Sequence, residues 1–404
     1  MNEIEVIPDG TVTTPRGFVA GAVQVGVRTD WDKLDVALLY SEAPCAAAGV
    51  CTSNQLKAAP VLITQKHLAD GRARAVVGNA GCANAAPGQQ GLDNAVQMAQ
   101  LAGRRLGIDA HEVVVASTGV IGVQLPMDRI ARGIGQITLS PDGGVDLARA
   151  IMTTDTRKKH VAARCGGWSI GGAVKGVGMI HPNMATMLCF LTTDAAVAQP
   201  FLASALKQAV DASFNMIDVD SDTSTNDTAV ILANGLAGGG AIDGGHPQAA
   251  AFVSALTLVC THLAQLMVGD AEGGTKVIEA RVEGAASEAD ARNVARGIVA
   301  SLGVKTAVYG HDPNWGRILA AVGNAGAGFE PEKTALYLGS PDGKELCLYR
   351  QGAPLPYDAG EAKACFTPRE VRFRLTLGLG DAVATAWGSD LTEAYVRLNS
   401  EYTT

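Results

Sequence analysis

The chain has 404 residues, of which 47% are hydrophobic and 18% charged, and its net charge is −8. That composition belongs to a folded protein with room for a large core and excludes a disordered chain. With no basic run and no stripe of basic and aromatic residues, nucleic acid and anionic membrane surfaces are poor partners.

The N-terminus, Met1 to Gly10, is acidic and has neither an apolar h-region nor early arginines, so no signal or transit peptide is expected. No apolar stretch is expected to approach the length of a membrane span. Eight cysteines are scattered along the chain without Cys-x-x-Cys spacing. They read as reduced, mostly buried thiols of a cytoplasmic protein.

In chain order, Ala73 to Gly78 reads as a strand that ends at the small, polar turn Asn79 to Asn84. A helix is expected over 93–106, with Gly107 as its C′ residue. Glu112 to Ala116 reads as a buried strand that runs directly into Ser117-Thr118-Gly119. Gly176, Gly178 and Pro182 crowd the approach to Ala185-Thr186, after which Met187 to Leu191 reads as another buried strand. Helices are expected over 200–214 and, opening with proline, over 247–268. Val277 to Val282 alternates as a half-exposed strand. Ser287 and Asp290 have the spacing of a capping box. Val371, Phe373, Leu375 and Leu377 alternate with polar residues, as an antiparallel strand with one wet face would. Strands and helices alternate throughout, so α/β layers are expected, with an antiparallel sheet towards the C-terminus.

Several motifs fail on their own chemistry. Gly269 to Lys276 has the outline of a phosphate loop, but its threonine precedes its lysine. Asp218-x-Asp220-x-Asp222 lacks the turn glycine and the bidentate glutamate of a calcium loop. The seven histidines show no metal spacing, and there is no Gly-x-Ser-x-Gly elbow.

Thr186 carries the most chemistry. A flexible lead-in that ends at a rigid strand can hold a strained peptide bond. A hydroxyl at that point can attack the preceding carbonyl, and hydrolysis of the ester leaves threonine as a new N-terminus. Its α-amine, titrating near ~7.7–8.0, is then the base for its own hydroxyl. By itself a threonine opening a strand is ordinarily a β-former, and Ala384-Thr385 repeats the same dipeptide.

The whole string separates these readings. Lys175-Gly-x-Gly-Met179, then Pro182, then Met184-Ala-Thr-Met-Leu188 resembles the autocleavage segment of the ornithine acetyltransferase family, the glutamate N-acetyltransferases of the arginine pathway. The resemblance extends over essentially the whole chain. It implies cleavage between Ala185 and Thr186, with Thr186 as nucleophile and Thr118 and Gly119 as oxyanion donors. It implies substrate contacts from Thr153, Lys175, Thr186, Glu272 and Asn399, and from the final residue, Thr404. Asp220 to Thr228 and Asp312 to Arg317 resemble family signatures without an assigned role. The turn at 79–84 departs from the family pattern at Ala80 and Cys82, which remove two polar groups.

The implied fold is a self-cleaving, layered α/β sandwich with an α+β C-terminal lobe. Residues 1–185 would form the α chain. Residues 186–280 would complete the core, and 281–404 would form the C-terminal lobe of the β chain. The implied reaction moves the acetyl group of N-acetylornithine to glutamate through an acetyl-threonine intermediate. The implied assembly is a heterotetramer of two α and two β chains. No metal or organic cofactor is implied, and acetyl-CoA is a candidate second donor. A self-cleaving aminopeptidase or amidase of similar architecture is the alternative.

Overall fold

The computed structural model describes residues 3–28, 33–181, 187–340 and 342–401. Ala185, Thr186 and Thr404 therefore lie outside the described residues.

Two sheets form the centre. The first has six strands, in the order Ile4–Ile7, Lys159–Cys165, Trp168–Lys175, Leu188–Thr193, Thr228–Ala233 and Ala46–Cys51. Leu188–Thr193 runs parallel to Thr228–Ala233, and every residue of both is buried. That is why residues 187–191 read as one continuous apolar run rather than an alternating one. The second sheet has four strands, in the order Phe18–Val23, Val36–Ser41, Ala75–Cys82 and Val113–Val120.

The sheets pack face to face. Leu188, Phe190, Val230 and Leu232 from the first share a core with Val76, Val114 and Ala116 from the second. The outer face of the four-stranded sheet is covered by helices Ala59–His67, Gln89–Leu106 and Met127–Gln136. The outer face of the six-stranded sheet is covered by Gln199–Ala212 and Ala249–Val268. The result is the expected layered α/β sandwich, with a helix layer on each side of the paired sheets.

A seven-stranded sheet builds the C-terminal part, in the order Ile217–Asp218, Ala382–Ser389, Val277–Ala285, Glu370–Thr376, Ala335–Gly339, Glu345–Arg350 and Ala353–Pro354. Helix Glu288–Ala300 packs on it, and the Ser287 hydroxyl caps that helix by accepting from Asp290 N. Glu370–Thr376 keeps its expected wet face, but its pairing is mixed. It runs parallel to Val277–Ala285 and antiparallel to Ala335–Gly339. Alternation reports which face is wet, and it carries no information on strand direction.

Three other expectations need correction. Asn79 to Cys82 is not a turn. These residues continue the strand Ala75–Cys82, pairing with Ser117 to Val120. Val113–Val120 likewise extends through Thr118 and Gly119. Ala249–Val268 is long and apolar enough to cross a membrane. Its apolar stripe, from Phe252 through Leu256, Val259 and Leu263 to Met267, is spent on the six-stranded sheet and the neighbouring helix. The remaining helices keep their expected places, and Gly107 ends Gln89–Leu106 with φ 69°.

Candidate active site

Strand ends from both central sheets meet at one cleft. Val113–Val120 delivers Thr118 and Gly119, and Trp168–Lys175 delivers Lys175. The loop after helix Gly144–Ala150 adds Thr153 and Thr154. The turn after Ala249–Val268 adds Glu272, and helix Glu393–Glu401 adds Asn399. Six of the residues expected from sequence therefore line one cavity. Ser224, Thr225 and Asn226, from the polar segment without an assigned role, complete a wall.

Gly119 is fixed by the close approach of two strands. Its φ is +128°, and a Cβ there would stand 2.3 Å from the carbonyl carbon of Gly81. No side chain fits against backbone at that distance, so the position requires glycine. A network of amides holds this strand end. Ser117 Oγ donates to Asn79 Oδ1 at 2.7 Å, and Asn79 Nδ2 donates to Cys82 O at 3.0 Å. Asn226 Nδ2 donates both to Ala83 O at 2.6 Å and to Ser117 O at 2.9 Å. Ala80 and Cys82, where the chain departs from the family pattern, are buried in the strand pairing. The polar work is done by their neighbours.

Lys175 Nζ donates to Thr118 Oγ1 at 3.3 Å. An ammonium has no acceptor to offer, so the Thr118 hydroxyl hydrogen is left to donate elsewhere. Burial pushes the Lys175 pKa down, opposed chiefly by the charge of Asp155. Asp155 is itself buried, with Oδ1 2.7 Å from Lys159 Nζ and accepting from Gly176 N at 2.9 Å. Burial works to raise its pKa, but the charges of Lys175 and Lys159 win and hold it down at about 2. Lys159 also reaches Asp270 at 2.6 Å. Two lysines and two carboxylates thus make an alternating buried chain leading to Thr118.

On the opposite wall Glu272 is gripped from two sides. Thr154 Oγ1 donates to its Oε1 at 2.6 Å, and Asn399 Nδ2 donates to its Oε2 at 3.0 Å. Its backbone N–H donates to Val177 O at 2.9 Å. Gly178 leaves room for this carboxylate, since a Cβ there would stand 2.4 Å from Oε2. A carboxylate held this way keeps lone pairs for a cation in the cleft. Thr153 is placed by its N–H, which donates to Asp155 Oδ2 at 2.9 Å, and by Arg28, which donates to its carbonyl at 3.0 Å.

Sequence reasoning missed Thr154, Asp155, Asn226 and Asp227. The first two directly follow Thr153, and the last two lie in the segment whose polarity marked it as more than a connection. Asp227 is fully buried and accepts from Met187 N at 2.9 Å. Among the described residues, no group of three or more His, Cys, Asp or Glu is placed to hold a metal. Asp218 and Asp220 of the rejected calcium loop are engaged otherwise. Asp218 meets His181 at 2.8 Å and Lys305 at 3.0 Å, and Asp220 accepts from Met179 and Ile180 N–H.

A family model described as the ArgJ family matches residues 19–404. A protein of Symbiobacterium thermophilum named arginine biosynthesis bifunctional protein ArgJ is 51% identical over 402 residues, covering 98% of this chain and 99% of that protein. One of Dehalococcoides mccartyi with the same name is 48% identical over 408 residues, covering all of both. A solved structure of the protein so named from Bacillus halodurans is 40% identical. It covers 52% of this chain and 97% of that one, with a TM-score of 0.49.

Proposed function

The chain belongs to the ArgJ family of arginine-biosynthetic N-acetyltransferases, and on that premise we propose how its own residues carry the transfer. Thr186 attacks the carbonyl before it, and cleavage after Ala185 frees its α-amine. The Thr186 hydroxyl then attacks the acetyl carbon of N-acetylornithine and passes its proton to that amine. The oxyanion is met by the Thr118 hydroxyl and the Gly119 N–H. The C–N bond breaks, the amine returns the proton to the leaving nitrogen, and ornithine departs. Glutamate reverses these steps on the acetyl-threonine, which makes the cycle ping-pong.

The observation that carries this reading is the convergence of Thr118, Gly119, Thr153, Lys175, Glu272 and Asn399 on one cleft, drawn from both sides of residue 186 in the chain. The charges suit the substrate. Glu272 offers a carboxylate to the ornithine side-chain ammonium, and Lys175 offers the only lysine on the cleft wall among the described residues to its carboxylate. Two polypeptides that share one cavity and the six-stranded sheet should stay together, and a heterotetramer of two copies of each is the assembly we propose. Acetyl-CoA is proposed as a second donor for glutamate.

The test is intact mass followed by a coupled assay. The expected result is two chains of 185 and 219 residues that co-purify, with acetylornithine consumed only when glutamate is present. Acetate release without glutamate would favour the aminopeptidase or amidase reading. An uncleaved chain with full transfer activity would overturn the nucleophile.

A further inference from the structure

Hydroxyls, amides and charges line most of the cleft. Among its described lining residues, three have apolar side chains: Ala83, Ile121 and Met179. Met179 belongs to the Glu272 wall. It follows Gly178, which makes room for that carboxylate, and its N–H donates to Asp220 Oδ2 at 2.6 Å. The Tyr395 hydroxyl of the last helix donates to the same oxygen at 3.2 Å. Ala83 and Ile121 belong instead to the paired strand ends that carry Thr118 and Gly119.

That apolar corner is rigidly built. Ile121 is half-buried and packs against a small separate core of Ala58, Val61, Ala83 and Ala85. Its backbone is held on both sides. Ala83 N donates to Val120 O at 2.9 Å, and Gly122 N donates to Ala85 O at 3.0 Å. The turn that follows Ala83 takes two non-glycine residues into the left-handed region, Asn84 at φ 50° and Ala86 at φ 59°. Such conformations carry a cost and persist where the surrounding structure enforces them, most often at functional sites.

The acetyl carbon of the donor carries an oxygen, a nitrogen and a methyl group. In the reaction proposed above, on which this step rests, the oxygen faces Thr118 and Gly119. The nitrogen leads to the ornithine charges, which Lys175 and Glu272 meet. The methyl has no polar demand and lies one bond, about 1.5 Å, from the acetyl carbon. Its favourable place is the apolar surface beside the oxyanion donors. We propose that Ala83 and Ile121 form the acyl pocket of this enzyme, and that Ile121 is the residue that limits the acyl chain to two carbons. Met179, on the far wall, covers the methylenes of ornithine and has no part in acyl choice.

The test compares N-acetyl-, N-propionyl- and N-butyrylornithine as donors to glutamate. In the wild type kcat/KM should fall at least about tenfold with each added methylene, the scale on which an apolar pocket discriminates. Ile121→Ala should raise the butyryl-to-acetyl ratio of kcat/KM about tenfold or more, because the wall recedes. Ala83→Val should do the reverse, cutting acetyl transfer about tenfold and propionyl transfer further. Met179→Ala should raise the KM for all three donors and leave their ratios within about twofold. A general loosening of the cleft would move all the variants alike, whereas an acyl pocket moves the ratios only at positions 83 and 121.

A folded, cleaved Ile121→Ala with wild-type ratios would overturn the proposal, as would a Met179→Ala that admits the longer chains. Should the alanine variant not fold or not cleave, Ile121→Val decides. It removes one methylene and should raise the propionyl-to-acetyl ratio about threefold or more, and an unmoved ratio would overturn the pocket. A wild type that transfers no acyl group from any of the three donors would strike the functional reading itself, and this inference with it.

Discussion

Asn399 Nδ2 donates to Glu272 Oε2 at 3.0 Å, tying the last helix of the chain to the turn that follows the longest helix of the core. Chain ends are ordinarily dispensable, yet this one closes a wall of the cleft. Asn399→Ala removes a hydrogen bond to a charged group and lets Glu272 swing on Thr154 alone. The KM for acetylornithine should rise about tenfold, the equivalent of a bond worth ~1.5 kcal/mol. Self-cleavage should be unchanged, because no described contact joins Asn399 to the 175–190 segment. Deleting residues 399–404 should lower transfer further and still leave two fragments on a denaturing gel. Unaltered kinetics in both variants would mean that the tail is incidental to substrate.

Two glycines of one strand-end region allow a paired test. Gly119 and Gly122 both have positive φ, at +128° and +84°. A Cβ on Gly119 strikes backbone at 2.3 Å, whereas a Cβ on Gly122 meets nothing within 4 Å. Gly122→Ala should therefore cost only the strain of its conformation, about 1 kcal/mol in thermal stability, with activity retained. Gly119→Ala must displace the strand end that carries the proposed oxyanion donors. It should lose about 100-fold or more in kcat, the scale of removing an oxyanion donor. Equal behaviour of the two variants in melting and in assay would refute the geometric argument.

The fold was legible where periodicity was strong and illegible where contacts were long in sequence. Helices such as Gln89–Leu106 and Gln199–Ala212 announced themselves by an apolar stripe, and Gly107 by its place after one. Asn79 to Cys82 misled because small and polar residues in a row look like a turn. Their strand character comes from pairing with Ser117 to Val120, which no local pattern encodes. The site residues were reached through resemblance, and their partners were not. The bond from Asn226 to Ser117 O spans 109 positions, and that from Thr154 to Glu272 spans 118. Asp155 and Asp227 matter because they are buried, a property that three-dimensional packing confers on otherwise ordinary acidic residues.

Asn226 is the simplest test of the polar segment 220–228. Its single amide nitrogen bridges Ala83 O and Ser117 O, holding the ends of two strands beside the proposed oxyanion donors. Asn226→Asp is nearly isosteric, but it turns a carboxylate oxygen towards two carbonyl oxygens. Both acceptors lose their donor, and the buried charge repels them. The variant should lose several degrees in melting temperature and at least tenfold in kcat. Asn226→Ala should be milder in stability, since it leaves carbonyls unpaired without adding a charge. Wild-type activity in the aspartate variant would show that the bridge does not shape the site.

Asp155 links the site to pH. Its pKa in the folded protein is about 2, below the ordinary 3.8, because Lys175 and Lys159 favour its charged form more than burial opposes it. A depressed carboxylate contributes stability that is fully present above its unfolded pKa and is lost as pH falls through its folded one. The window therefore runs from about 4 down to about 2. Asp155→Asn at neutral pH should cost about 3 kcal/mol in urea unfolding, near the low end for breaking a buried pair, because Lys159 keeps Asp270 at 2.6 Å. As the pH is lowered through the window, the wild type should approach the variant and the gap should close. A gap that stays constant from neutral pH to about 2 would show that the ionised carboxylate is not what stabilises this chain of charges. Lys175 supplies the second readout. Without Asp155 its ammonium loses the strongest force opposing burial, so its pKa should fall further and its bond to Thr118 should weaken. Transfer by the asparagine variant should then fall at neutral pH even where urea unfolding shows the protein fully folded.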